Sequence, residues 1–99
     1  AVVFAENDPM AAGAAQAIEE AGLAGKILVL GFNGDGVALE SIKDGIMHGT
    51  IAQDPYGMGA LGVELANTLL TGGTLEYGNE ETREIYADVY LIDENGERR

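Results

Sequence analysis

Residues 26–36, KILVLGFNGDG, leave few folds open. Ile27, Leu28, Val29 and Leu30 follow one another without a polar break, and the run then enters a glycine-rich loop. A strand with one wet face alternates apolar and polar residues. An unbroken apolar run bounded by glycine instead predicts a central parallel strand covered on both faces. Ligands of open α/β sheets collect just beyond the carboxyl ends of such strands. Phe32, Asn33 and Gly34 are thereby placed at the rim of a candidate site.

The rest of the chain supplies the elements that such a strand requires. Residues 1–5, AVVFA, read as a first strand, with Phe4 in the core. Glu6-Asn7-Asp8-Pro9 turns into a helix, with Asp8 predicted as the N-cap and Pro9 in the first helical position. Met10, Ala14, Ala17, Ile18 and Ala21 recur at helical spacing, and Gly22 ends the run. The small residues of 11–15 let this helix lie close to a sheet. A strand over 26–32, a loop over 33–36, a helix over 37–44 and a strand over 49–53 follow. The helix predicted over 56–71 carries Met58, Leu61, Leu65 and Leu69 in one stripe. Val63, Ala66 and Leu70 fall outside the stripe, so this helix is expected to be covered on two sides.

Residues 75–81 read as a loop and 82–92 as a strand, because Ile85, Tyr86, Val89, Tyr90, Leu91 and Ile92 favour extended backbone. Residues 93–96 form a turn and 97–99 a frayed tail. The order β-α-β-α-β-α-β with short connections implies a Rossmann-like, mainly parallel sheet flanked by helices. The chain is read as a single partial domain: a βαβαβ unit over 1–53, a helix and loop over 54–81, and a closing strand and tail over 82–99.

Composition closes off several classes of function. At 99 residues the chain is one domain or part of one. No apolar run reaches the ~18 residues that span a bilayer, so no direct membrane insertion is expected. The chain has no cysteine, which removes disulfides and thiolate metal sites. A net charge of −12 with only five Lys and Arg opposes nucleic-acid binding, which needs clustered cations. Ala1 opens directly on an apolar run without an initiator Met or signal-like stretch, so residues are expected upstream.

Three amide side chains fall at equivalent places: Asn7 after the first strand, Asn33 after the second and Gln53 closing the third. Parallel strands bring those three ends to one edge of the sheet. Each amide offers two donors and an acceptor, which matches the mixed character of hydroxyl groups. Two readings stay open: a neutral, hydroxyl-rich ligand held by the three amides, or amides that each tie down their own loop. Catalytic and cofactor readings lack their residues. Gly31 to Gly36 spells GxxGxG, not the dinucleotide fingerprint GxGxxG, and no GK[ST] ending follows. His48 is the only histidine and is read as structural or exposed. Residues 93–96 lack the spacing of a calcium loop. A receiver-type phosphoacceptor would need an aspartate where Asn33 or Gln53 stands. No catalytic residue, metal or cofactor is assigned.

Longer motifs point to one family. The stretch 4–13, FAENDPMAAG, resembles the ND-x-MA-x-G signature of type I periplasmic sugar-binding proteins, and Gly31-Phe32-Asn33-Gly34 resembles their GFDG motif. Ser41-Ile42-Lys43-Asp44-Gly45 and the stretch 50–59, TIAQDPYGMG, are similar to their IKDG…TIAQDPYxMG run. Ribose-binding proteins and their pentose- and hexose-binding relatives are the nearest likeness. The resemblance implies that Asn7 and Gln53 hydrogen-bond sugar hydroxyls, and that Asn33 does so where the family usually carries an aspartate. It implies a C-terminal portion only, with the helix over 56–71 facing a missing N-terminal lobe or covered by self-association. It implies a pentose or hexose as ligand, an ABC-importer permease as partner of the full-length parent, and a periplasmic or extracytoplasmic location. Two alternatives stand beside it. One is an effector-domain fragment of a LacI-type regulator, and the other an engineered α/β piece without ligand function.

Overall fold

The computed structural model describes all 99 residues. In order they form β1 (Val2–Phe4), α1 (Asp8–Glu20), β2 (Leu28–Asn33), α2 (Gly36–Lys43), β3 (Gly49–Ala52), α3 (Pro55–Leu70) and β4 (Tyr90–Ile92). They fall into two compact units, Ala1–Gln53 with Val89–Arg99, and Asp54–Asp88.

The first unit is a four-stranded sheet in the order β1-β2-β3-β4. β1, β2 and β3 run parallel, with Phe4 opposite Leu30 and Asn33 opposite Ala52, and β4 closes the sheet antiparallel to β3. Helices α1 and α2 pack on each other and on one face of the sheet. The core lies there, in Ala11, Ala15, Val29, Ala38, Ile42 and Met47. Ala11 and Ala15 sit one turn apart, and their small side chains let α1 approach β2 closely. Burying side chains such as Val29 and Met47 contributes about 1.5–3 kcal/mol each. Gly22, at φ +72°, stops α1 by letting Leu23 N–H reach back to the Ile18 carbonyl (3.0 Å).

Four sequence expectations are corrected. First, α1 is capped by Asn7, whose Oδ1 accepts from Met10 N–H, while Asp8 is the first helical residue and fully buried. Second, β2 is covered on one face only. Val29 and Gly31 face the helices, whereas Leu28 on the other face is 45% exposed and Leu30 and Phe32 are half-buried. Phe4 lies on that same open face and is 54% exposed, not in the core. Third, the last strand is confined to Tyr90–Ile92, because 82–89 finds no strand to pair with apart from an isolated bridge between Asn79 and Glu84.

Fourth, the C-terminal tail is tied down. Arg99 N–H donates to the Leu91 carbonyl (2.7 Å), and its guanidinium pairs with Asp93. That hydrogen bond, with another from Glu97 N–H, holds the Asp93 carboxyl below its ordinary value. His48 is structural, as expected: its Nδ1 accepts from Val29 N–H (3.0 Å), locking the start of β3 to β2.

In the second unit no residue of α3 is buried. Asp54 caps the helix by accepting from Gly57 N–H (2.9 Å). Met58, Leu61 and Leu65 share a shallow depression with Ile85 and Ala87, whereas Val63 and Leu70 are 72% and 87% exposed.

Candidate functional site

Parallel pairing brings the carboxyl ends of β1, β2 and β3 to one edge of the sheet. Asn7, Asn33 and Gln53 stand at those ends, each half-buried. Asn33 and Gln53 are joined directly, Gln53 N–H donating to the Asn33 carbonyl (3.2 Å). Asn7 sits one strand away, two residues past the Ala5 N–H that donates to Leu30. Its Oδ1 is committed to the helix cap, so only its NH₂ group is left to donate outward. One of the two readings open for this residue is therefore half true: Asn7 does tie down its own loop. No such side-chain bond engages Asn33 or Gln53 within the chain.

Asn33 has φ +123°, a left-handed backbone that non-glycine side chains adopt at a cost. Such strain of about 1–3 kcal/mol persists only where the surroundings hold it in place. Here they do so on both sides. Gln53 takes the Asn33 carbonyl, Gly34 N–H donates to Thr50 Oγ1 (3.3 Å), and Asp35 N–H donates to Asp8 Oδ2 (2.7 Å). Thr50 in turn donates its hydroxyl proton to Asp8 Oδ1 (2.6 Å), so both oxygens of the buried carboxylate are satisfied. Charge-assisted bonds of this length are the strong ones. The amino end of α1 adds a favourable dipole to a carboxylate that has no ion-pair partner.

Gly31 makes the arrangement possible. A methyl group there would overlap Asp8 Oδ1 and come within 3.2 Å of Ala11 Cβ, so the carboxylate crosses β2 where a side chain is missing. The sequence reading missed the part played by Asp8 and Thr50. Two signals were present: a glycine in mid-strand, which marks close approach, and a lone hydroxyl inside the buried strand GTIA.

The three loops also carry Glu6, Asp8 and Asp35 and no cation, a potential that favours neutral over anionic ligands. Beside them an open depression of about 250 Å³ is lined by Phe4, Glu6 and Phe32. Tyr56 is 86% exposed in the second unit.

The sequence pattern of the periplasmic binding protein domain matches residues 1–74. The chain belongs to that family. It is 47% identical over 70 residues to the ribose import binding protein RbsB of Salmonella typhimurium, covering 71% of this chain and 23% of the relative. It is 43% identical over 63 residues to the D-allose-binding periplasmic protein of Escherichia coli, covering 64% and 20%. A crystal structure of an ABC transporter periplasmic solute binding protein from Actinobacillus succinogenes with bound D-allose superposes with TM-score 0.80 at 37% identity, covering 96% of this chain and 31% of that one. The chain thus spans about a quarter of the length of the curated relatives it matches. Its sheet and helices are those of a sugar-binding periplasmic protein fold.

Proposed function

We propose that this chain is the sugar-holding part of the substrate-binding protein of an ABC importer, and that it acts by binding without catalysis. One observation carries the reading: three amide-bearing residues, Asn7, Asn33 and Gln53, stand at the carboxyl ends of three adjacent parallel strands, with Asn33 and Gln53 bonded to each other. Asn7 donates through its free NH₂. Asn33 and Gln53 donate and accept, which suits vicinal hydroxyls of a pentose or hexose. The acidic loops select against phosphorylated sugars. Similarity to ribose- and allose-binding relatives supports the ligand class, an importer permease as partner of the whole protein, and a periplasmic or extracytoplasmic location.

Calorimetric titration against a panel of pentoses and hexoses tests this. Saturable heat, with the affinity lowered about tenfold by Asn33→Ala and by Gln53→Ala, is the expected result. A folded chain that gives no heat with any sugar overturns the reading. The exposed apolar side of α3 is proposed to be covered in the isolated chain by self-association. A purely monomeric species in analytical ultracentrifugation, at every concentration tested, contradicts that.

A further inference from the structure

We infer that Asp8 is the positioning residue of the binding rim: through Thr50 and the Asp35 amide it holds Asn33 and Gln53 in the geometry in which they meet a ligand. This deepens the sugar-site reading and rests on it. The chain of contacts is continuous. Asp8 Oδ2 accepts from Asp35 N–H, and Asp8 Oδ1 accepts from Thr50 Oγ1, which itself accepts from Gly34 N–H. These bonds fix the two residues that follow Asn33. The carbonyl of Asn33 is fixed from the other side by Gln53 N–H. Asp8 directly follows Asn7, so one carboxylate joins the Asn7 turn to the 33–36 loop and to Thr50 in β3, three residues before Gln53.

A buried carboxylate is an expensive tie for a helix start. Asn7 already caps α1, so the helix does not need Asp8 for that purpose. What only Asp8 provides is the link from α1 across β2, through the gap at Gly31, to β3 and the 33–36 loop. Asn33, at φ +123°, is the strained residue that the link restrains. Without the link, Asn33 relaxes toward ordinary backbone angles, which reorients its side-chain amide and carries its carbonyl away from Gln53 N–H.

The test compares the whole chain with Thr50→Val, which removes the hydroxyl at constant shape, and Thr50→Ser, which keeps it. Asp8→Asn is a second variant that removes one acceptor oxygen. Amide hydrogen exchange is read first, without ligand. Thr50→Val and Asp8→Asn are expected to speed exchange at Gly34, Asp35 and Gln53 about tenfold or more, the equivalent of one lost hydrogen bond, while Val29 and Leu30 keep their rates. Thr50→Ser is expected to restore the rim. Unchanged rim rates, acceleration that stops short of Gln53, or equal acceleration of rim and core would each overturn the inference.

Sugar affinity is read second. Thr50→Val is expected to weaken binding about tenfold in the native background, and much less where Asn33→Ala is already present. Equal losses in both backgrounds would show that Thr50 does not act through Asn33, and would also overturn it. A native chain that binds no sugar defeats the proposed function, while the exchange measurement still decides the role of Asp8.

Discussion

Residues 1–53 with 89–99 and residues 54–88 are ordered by different means. Every buried residue of the chain falls between Asp8 and Ala52. There, contacts distant in sequence hold the structure: Thr50 to Asp8, Asp35 to Asp8, and His48 to Val29. In 54–88 the side-chain hydrogen bonds reach four residues at most, as in Asp54 to Gly57 and Thr68 to Glu64. α3 also carries three glycines, Gly57, Gly59 and Gly62, each about 1 kcal/mol poorer than alanine as a helix former. One unit is specified by its own core. The other is an apolar helix whose burial is not completed by its own unit. Geometry fine enough to hold a strained Asn33 can be sustained only in the first, and there the candidate site lies.

Truncating the core should separate the two most strongly. Met47→Ala, at a residue 1% exposed, is expected to cost about 2–5 kcal/mol in denaturant unfolding. Leu70→Ser, at 87% exposure, should stay within about 0.5 kcal/mol. Similar costs at the two positions would erase the distinction.

Asn7 sharpens it at the rim. Asn7→Ala loses the cap of α1 and should cost about 1 kcal/mol. Asn7→Asp keeps an acceptor for Met10 N–H and should preserve stability while weakening sugar binding, because the outward donor is gone. Thermal melts and titrations of the two variants separate cap from ligand contact.

In the second unit, a side chain added at Gly59 meets nothing within 4 Å. Gly59→Ala should therefore favour α3 by about 0.5–1 kcal/mol, seen as a gain in helical circular dichroism. The main unfolding transition should not move.

The smallest effect belongs to the tail. Asp93 is half-buried, and its carboxyl is held below its ordinary value, chiefly by Arg99. Its contribution is complete above the unfolded-state value near 4 and is lost as pH falls through the lower folded value. Exchange at the Arg99 amide should stay constant from pH 7 to about 4.5, after correction for intrinsic rates, and rise below about 4. Added salt should weaken the effect.

Much of this was legible in the sequence wherever local chemistry decided the outcome. The apolar run 27–30 gave the middle strand, the Ala11–Ala15 spacing gave the close helix, and glycines marked the helix ends. Motif likeness gave the family. What failed was decided at a distance. Asn7 and Asp8 are both good caps, and only Thr50, 42 residues away, shows why Asp8 turns inward. Residues 82–89 have the composition of a strand, yet β-propensity expresses itself only against a neighbouring strand, and none is there. Coverage of β2 on both faces was expected from its apolar run, but Leu28, Leu30 and Phe32 on the face away from α1 stay partly exposed. The tail looked frayed because its anchor joins Arg99 to Asp93 and Leu91, a pairing that no local pattern announces.

Side-chain and backbone amide NMR of the native chain, titrated with pentoses and hexoses, tests the central claim most directly. Shifts concentrated at the side-chain amides of Asn7, Asn33 and Gln53 and at the backbone of 33–35, with 54–88 unmoved, are the predicted result. Shifts centred on 54–88, or no shift with any sugar of the panel in a folded chain, would contradict the account.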